Sequence, residues 1–433
     1  MSSNVALVVL DSLRHDVWDS LDWVPGLRFS RAYAPSHWTI PTHASVFTGR
    51  YPSEIGVHGK SASLDCPKPV LAEQLASADY RTRFYSANTT VTFWDGWGRG
   101  FDKVVPFAQL DPLDEGLVDW SEFARRNPDG GMSQKAKAVL KCIRSDCSTV
   151  AAFRQGLCYF RRSRADGGTK SVIRRVNNTD FDTRFEFLVL NLMETHTPYH
   201  TPDDDGPVNV TIGDAFADNV TNPERVRGGY RRSVEYLAET YRELFDILEA
   251  NFDYIITVGD HGEMLGEHEM WNHGYGLYPE LVRVPLVLSG TDIPDGENTT
   301  LVSLLDLHKT IGDLAGVELD SRGRNLLSCL DDRPLLTEYH GFLPWHRDQF
   351  ERKGVPEGVY DEHDSRLHGV VLPEGYAYET HANGLQTEDG VDLDRARTEI
   401  EKIRETIDER ETGTAEPEID EKTKQHLREL GYA

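Results

Sequence analysis

Val5-Ala6-Leu7-Val8-Val9-Leu10 stops abruptly at Asp11-Ser12-Leu13-Arg14. Six apolar residues without polar alternation predict a strand buried on both faces, the habit of parallel sheets, with a carboxylate at its carboxyl end. Phe252-Asp253-Tyr254-Ile255-Ile256-Thr257-Val258-Gly259 has the same form and runs into Asp260-His261-Gly262-Glu263. Open α/β sheets gather ligands at the carboxyl ends of their strands, so Asp11, Asp260 and His261 are expected to converge. Phe187 to Leu192 is a third buried run, ending near His196, and Pro69 to Ala78 reads as a helix leading into a strand at Arg81 to Ser86. Ahead of the Asp260 strand, Ser233 to Ala250 carries Val234, Leu237, Tyr241, Leu244, Ile247 and Leu248 at helical spacing. Strands alternating with helices predict an α/β fold with a mostly parallel central sheet and helices on both faces.

A second informative stretch is Ala34-Pro-Ser-His-Trp-Thr-Ile-Pro-Thr-His-Ala-Ser-Val-Phe-Thr-Gly49. Pro41 costs no helical hydrogen bond in a first turn, which puts Thr39 at or beside the N-cap, where free N–H groups and the helix dipole favour an anion. His43 follows one turn later on the same side. Asp11, Asp260, His261 and the Thr39 oxygen make a mixed oxygen and nitrogen set for one divalent metal ion, better suited to manganese or zinc than to copper.

These residues resemble the alkaline phosphatase superfamily and, within it, the sulfatase-like hydrolases. The resemblance runs through Asp11, Trp38 to His43 with Phe47-Thr-Gly-Arg-Tyr-Pro52, and Glu194-Thr-His-Thr-Pro-Tyr199. It continues through Asp260-His-Gly-Glu-Met-Leu-Gly-Glu-His268, Trp271-Asn-His-Gly274 and Leu277-Tyr-Pro-Glu-Leu-Val-Arg-Val-Pro-Leu286, to the closing Leu427-Arg-Glu-Leu-Gly-Tyr432. It implies a smaller C-terminal α+β lobe with antiparallel strands, hence a catalytic domain over residues 1–330 and a subdomain over 331–433. Residues 101–180, with a basic, Cys-containing centre, read as a helical insertion or lid, or as a surface excursion.

True sulfatases carry Cys or Ser in a Cys/Ser-x-Pro-x-Arg motif and oxidise it to formylglycine. Here the matching residues are Thr39 and His43, and threonine is closed to that route. The Thr version resembles phosphoglycerol transferases such as lipoteichoic acid synthase, and nucleotide pyrophosphatase/phosphodiesterases. Phosphoester chemistry through a Thr39 nucleophile and a covalent phospho-enzyme is therefore expected ahead of sulfate-ester hydrolysis. A non-catalytic binding protein that keeps the fold is the third reading. Ser12 stands where most sulfatases have a further Asp for calcium, although magnesium and calcium stay in the range of metals alongside manganese and zinc. His43, His196 and His273 are expected around the substrate as hydrogen-bond donors or leaving-group acids, His273 replacing a frequent Lys. Asn88 either touches substrate or shapes a turn, and Arg14 either neutralises phosphate oxygens or pairs with Asp16. His340 is the residue best placed to reveal a second metal, which the family usually builds with an Asp-x-x-Gly-His segment that this chain lacks.

The 433 residues are 39% hydrophobic, enough for a large core, and carry a formal charge of -26, which argues against an extended nucleic-acid partner. Acid spread along the chain, with Lys scarce beside Arg, resembles proteins of salt-loving organisms. No apolar run approaches the roughly 18 residues that span a membrane, and no secretory leader is evident, so a cytoplasmic location is the expectation. Five cysteines without a tight pair read as reduced thiols. The expected partner is a small-molecule, glycan or lipid-headgroup ester. Oligomeric state leaves no mark on the sequence.

Overall fold

β1 (Val5–Leu10) forms where the first apolar run predicts it, inside an eight-stranded sheet. The computed structural model describes residues 2–106, 167–181, 185–204 and 206–412. The chain continues through β2 (Leu27–Phe29), β3 (Ala32–Tyr33), β4 (Arg81–Ser86), β5 (Lys103–Val105), β6 (Glu186–Leu192) and β7 (Tyr254–Gly259). β8 (Arg283–Val284), β9 (Leu286–Gly290), β10 (Gly296–Asn298) and β11 (Val302–Ser303) follow, then β12 (Leu335–Tyr339), β13 (Leu367–Leu372), β14 (Gly375–Thr380) and β15 (Gly384–Thr387). The large sheet has the spatial order β10-β2-β9-β7-β1-β6-β4-β5. From β7 to β5 all neighbours run parallel, whereas β9 is antiparallel to both β7 and β2. The fold class is the one read from the sequence.

Burial of β1 on both faces explains its unbroken apolar text. Ala6, Val8 and Leu10 enter one core, shared with the long helix Pro223–Glu249 through Tyr230, Leu237, Tyr241 and Leu244. Val5, Leu7 and Val9 enter the opposite core, with Ile40, Ala44 and Phe47 of helix α1 (Thr39–Thr48) and Leu307 and Ile311 of helix Leu305–Ala315. All ten residues of α1 are buried, so its small and apolar composition is a packing requirement. Gly49 ends α1 at φ 65, and a Cβ there would lie 2.2 Å from Ser321 Oγ and 2.7 Å from His308 Nδ1.

Several elements differ from the sequence reading. The long helix starts at Pro223, where the Asn222 side chain accepts from the Arg225 N–H, ten residues before the apolar spacing becomes clear. Both described ends of the stretch read as an insertion belong to the core. β5 is the edge strand beside β4, and helix Thr169–Asn177 buries Val172, Ile173 and Val176. Residues 107–166, holding the rest of that stretch with Cys142, Cys147 and Cys158, lie outside the described residues, as does the closing Leu427 to Tyr432 segment. Cys66 and Cys329 are free thiols. No helix among the described residues is long and apolar enough to cross a membrane.

β12 to β15 form a separate antiparallel sheet, the hairpin read at Leu367 to Tyr378 being β13 and β14. β12, missed in the sequence because only Leu335-Leu336 is continuously apolar, is sewn to the chain that leads into α1. The Glu338 N–H donates to the Pro35 carbonyl at 2.9 Å, and the Ser36 hydroxyl donates to the Glu338 carbonyl at 2.8 Å. The buried Glu338 carboxylate accepts from the Ser53 N–H at 2.9 Å and the Ser53 hydroxyl at 2.6 Å. Burial pushes this carboxyl up, but His340 and the Ser53 donors outweigh it and hold the carboxyl down at about 2. A depressed carboxyl stabilises the fold above its unfolded value and loses that contribution as pH falls through the folded one. Glu338→Gln is therefore expected to lower stability at pH 7 by roughly 2–3 kcal/mol. The gap to wild type should narrow as pH falls from about 4.5 to about 2, read as urea midpoints at stepped pH.

Candidate active site

Adjacent parallel strands deliver the central carboxylates together. Leu10 pairs with Gly259, so Asp11 and Asp260 leave neighbouring strand ends side by side, and the Asp11 N–H is fixed to the Leu192 carbonyl of β6 at 2.9 Å. Gly262 closes the loop after β7 by donating its N–H to the Leu281 carbonyl at 2.8 Å. A Cβ on Gly262 would lie 1.9 Å from the Glu280 carbonyl oxygen, so the turn admits no larger residue. α1 brings Thr39 to the same edge as its first residue. Thr39 Oγ1 lies 3.1 Å from His261 Nε2 and 3.4 Å from Asp11 Oδ1, all nearly or fully buried.

Hydrogen bonds orient this group. His261 Nδ1 faces the Gly262 carbonyl at 2.8 Å and must carry the proton there, which leaves the Nε2 lone pair directed at Thr39 and, at 3.6 Å each, at Asp11 and Asp260. Asp11 Oδ2 accepts from Asn88 at 2.9 Å and Asn191 at 3.1 Å. Asp260 Oδ1 accepts from the Ser12 and His261 N–H groups, while its Oδ2 is buried without a hydrogen-bond partner. Burial pushes the Asp260 carboxyl well up, and Asp11 adds to the shift. Burial opposes the charge on Asp11 too, but His196, His261 and the two amides bring it below its usual range.

Two facing carboxylates, an orphaned carboxylate oxygen and an imidazole lone pair are a donor set that fits a divalent cation. Asp11, Asp260 and His261 are also the one group of three or more acidic, His or Cys residues among the described residues whose ligand atoms lie within 4.8 Å of one another. His340 lies outside it, stacked on His58 at 4.6 Å.

The other residues singled out in the sequence divide. His196 and His273 stand together, ring centroids 4.9 Å apart, with His273 4.6 Å from His261. Both line a cavity beside the carboxylates. Burial lowers His196 to about 4 and His273 well below its usual value, so both are neutral rings. His43 is placed differently from the expectation. A helical side chain leans toward the preceding turn, and its Nδ1 donates to the Thr39 carbonyl at 3.0 Å. Its ring borders a separate apolar cavity together with Asp260, outside the lining of the one that His196 and His273 share. Asn88, expected to touch substrate or shape a turn, caps helix Thr89–Phe93 through the Thr90 N–H and holds Asp11. Arg14 takes the second of its two readings. Its guanidinium is 2.7 Å from Asp16 and 2.9 Å from Glu267, and it donates to the Glu263 carbonyl, which commits it to carboxylates.

Sequence reasoning passed over Asn191, His37, His346 and Gln349, and read Glu263 only as part of a dense polar loop beside the metal, with Glu267, His268 and Glu269. Glu263, fully buried, shares a proton with His273 Nδ1 across 3.1 Å, and burial raises its carboxyl to about 7 despite His196 and His261. Its place in the Asp-His-Gly-Glu run was the available signal. Asn191 reads only as part of a strand, and His346 and Gln349 arrive from helix Pro344–Lys353, far along the chain.

The family model described as Sulfatase matches residues 3–317. The chain is similar to the choline-sulfatase of Rhizobium meliloti (strain 1021), 24% identical over 337 residues, covering 68% of this chain and 61% of that protein. It is also similar to the low-salt glycan biosynthesis sulfotransferase Agl7 of Haloferax volcanii, 24% identical over 325 residues, 73% of this chain and 62% of that protein. The chain thus spans about three fifths of the length of these curated relatives. Among solved structures, the phosphonate monoester hydrolase SpPMH from Silicibacter pomeroyi superposes with a TM-score of 0.63 at 16% identity, over 94% of this chain and 96% of that one. A protein in the alkaline phosphatase superfamily from Vibrio parahaemolyticus superposes with a TM-score of 0.51 at 16% identity, over 95% and 89%.

Proposed function

The chain belongs to the sulfatase family, and from that membership we propose a metal-dependent hydrolase or transferase of phosphate or sulfate esters, with Thr39 as its nucleophile. The observation that carries this reading is the Thr39 hydroxyl at the start of α1, within 3.4 Å of both Asp11 and His261. Asp11, Asp260, His261 and Thr39 Oγ1 would hold the ion. A divalent cation there supplies positive charge that favours the Thr39 alkoxide and offsets charge on the ester's non-bridging oxygens. Thr39 Oγ forms a bond to phosphorus or sulfur in line as the bond to the leaving oxygen breaks, its own proton released to water. Water or an acceptor alcohol then cleaves the Thr39 ester and restores the hydroxyl. Manganese or zinc suits the mixed donor set best, with magnesium and calcium as further choices.

His196 and His273 face the space where the leaving group departs. With the shared proton on Glu263, its carboxyl O–H donates to His273 Nδ1 and the ring presents Nε2–H to the cavity; His273 thereby delivers a proton to the leaving oxygen. Glu263→Gln is expected to lower kcat by roughly 10–100-fold with KM changed less than about threefold, measured under steady state. Equal losses in both terms would place Glu263 outside the proton delivery.

Threonine in place of an oxidisable Cys or Ser favours phosphoesters, whereas the similarity to a choline-sulfatase favours sulfate esters as the second reading. Matched nitrophenyl phosphate monoester, phosphate diester, phosphonate and sulfate substrates, assayed in high salt with manganese, zinc, magnesium or calcium, separate the two. Faster phosphoester turnover upholds the primary reading and faster sulfate turnover selects the second. Stoichiometric metal with no turnover of any ester makes the chain a binding protein.

A further inference from the structure

Asn191 breaks the rule of its own strand. It stands between Leu190 and Leu192 in β6, whose seven positions are all buried, where an apolar side chain is the ordinary choice. Its carboxamide Oδ1 is buried without a hydrogen-bond partner, a cost that a hydrocarbon would avoid. What the amide gains lies on its nitrogen. Asn191 Nδ2 is 3.1 Å from Asp11 Oδ2 and 3.5 Å from His43 Nε2. His43 carries its proton on Nδ1, toward the Thr39 carbonyl, so Nε2 accepts and both Asn191 N–H groups find acceptors. The opposite amide orientation would set an oxygen against a carboxylate. Asn88 closes the clamp from the end of β4, the strand beside β6. Its Nδ2 donates to the same Asp11 Oδ2 at 2.9 Å, while its Oδ1 accepts from the Thr90 N–H. Asp11, Asn88 and Asn191 are fully buried, so bulk water does not compete for that oxygen.

Each carboxylate is thereby left with one oxygen to offer. Two amides hold Asp11 Oδ2, and the Ser12 and His261 N–H groups hold Asp260 Oδ1 at 3.2 and 3.0 Å. Asp11 Oδ1 and Asp260 Oδ2 remain, beside His261 Nε2 and Thr39 Oγ1. Thr39 Oγ1 is 3.4 Å from Asp11 Oδ1 and 3.1 Å from His261 Nε2, which lies 3.6 Å from each free carboxylate oxygen. Such edges suit a four-donor ion with bonds of about 2.1 Å, and equally calcium at about 2.4 Å seated on one face of a larger shell. The number of donors separates the two. Calcium takes roughly six to eight oxygens and accepts carboxylates through both atoms, whereas zinc is satisfied by four nitrogen and oxygen donors. The Ser12 hydroxyl, 3.4 Å from Asp11 Oδ1, adds at most one neutral oxygen. Asp11, Thr39, Asp260 and His261 are at most 2% exposed, which leaves little access for water to complete a larger shell.

We infer that Asn88 and Asn191 are positioning residues that confine Asp11 to a single metal-facing oxygen and so select a small, four-donor ion of zinc type against calcium. The inference rests on the metal-dependent reading of this group, and it adds how the protein chooses the ion. It also accounts for an amide in the middle of an apolar strand, since a leucine at position 191 would free the second oxygen of Asp11.

The test titrates the full chain, stripped of metal, with zinc and separately with calcium in a calorimeter. Wild type should bind zinc at least about 10³-fold more tightly than calcium. Asn191→Leu removes the donor without adding charge. Zinc affinity should then fall by about 10–100-fold, while calcium affinity holds or rises because Asp11 Oδ2 becomes available, so the zinc-to-calcium ratio drops at least about tenfold. Asn88→Asp keeps an acceptor for the Thr90 N–H, and with it the helix cap, but exchanges the donor for a carboxylate oxygen; the ratio should drop at least as far. A role confined to packing would lower both affinities together and leave the ratio unmoved. Cobalt supplies a readout independent of turnover, since it absorbs intensely in the visible when four-coordinate and weakly when six-coordinate. Wild type should absorb strongly and both variants should fade. Near-ultraviolet circular dichroism checks packing, and the wild-type cobalt spectrum with Asn88→Asp decides the matter if Asn191→Leu fails to fold. A ratio unchanged in the folded variants, calcium bound as tightly as zinc, or a weak cobalt spectrum in wild type would overturn the inference and leave a metal-dependent enzyme standing. Failure of all three metals to bind would bring down the metal-dependent reading as well. Zinc selectivity that depends on the amides, with no turnover of any ester, would uphold the selection and sink the Thr39 nucleophile.

Discussion

Thr39→Ala is expected to lower kcat by at least about 10⁴-fold for every ester the protein turns over, because it deletes the atom that forms the covalent bond. Removing the nucleophile elsewhere costs about 10⁶ in kcat, with the remainder supplied by binding and fixed dipoles. The substitution also removes the hydroxyl that faces Asp11 and His261, but it leaves the helix intact. Thr39 is the first residue of α1, the N-cap position before it is Trp38, whose side chain makes no cap hydrogen bond, and alanine is the best helix former. The loss should therefore appear in chemistry, with the melting temperature within a few degrees of wild type. Thr39→Ser separates two contributions of the residue. It restores the hydroxyl but removes the methyl that restricts χ1, so it should recover part of kcat. Trapping with a slow substrate followed by intact-mass analysis should show a phospho or sulfo adduct on wild type and none on Thr39→Ala. Turnover that survives Thr39→Ala would end the threonine mechanism.

The strand ends that carry this chemistry were legible because burial on both faces writes itself as an unbroken apolar run. β1, β6 and β7 are such runs, and parallel pairing of β1 with β7 places Asp11 beside Asp260 without information from any other part of the chain. Thr39 was legible through Pro41 and the small-residue helix behind it. What was hidden depends on packing between segments distant in sequence. Arg14 reads equally well as a phosphate ligand until Glu267 and the Glu263 carbonyl are seen to occupy its donors. Asn88 resembles a turn residue whether or not Asp11 is its partner, 77 positions away. His43 shares a helix face with Thr39, yet the tilt of helical side chains turns its ring onto the Thr39 carbonyl and away from the cavity. His346 carries no local signal, since it reaches the cavity lining only once helix Pro344–Lys353 lies against Ile212–Phe216.

Asp260→Asn should move activity and stability of the metal-free protein in opposite directions. In wild type two fully or nearly buried carboxylates face one another, and Asp260 Oδ2 has no hydrogen-bond partner. Like charges in a poorly solvated site repel, so without a cation the pair strains the fold. Asparagine keeps the shape and retains an oxygen for the Ser12 and His261 N–H groups, which hold Oδ1 at 3.2 and 3.0 Å. Removing the charge should raise the melting temperature of the chelator-treated protein by a few degrees. The same change weakens the metal site by one anionic ligand, and turnover should fall by at least about 10³-fold at metal concentrations that saturate wild type. Linkage gives a second readout. A ligand at about 1,000 times its Kd stabilises the native state by roughly 4 kcal/mol, so saturating manganese or zinc should shift the wild-type melting curve clearly and leave that of Asp260→Asn nearly still. Calorimetric stoichiometry near one in wild type, with matching loss of binding and turnover in the variant, ties both effects to a single ion. A wild-type curve that no divalent metal moves, or a chelated variant less stable than chelated wild type, would mean that the buried carboxylates are balanced within the protein itself, and the metal-dependent reading would fall with them.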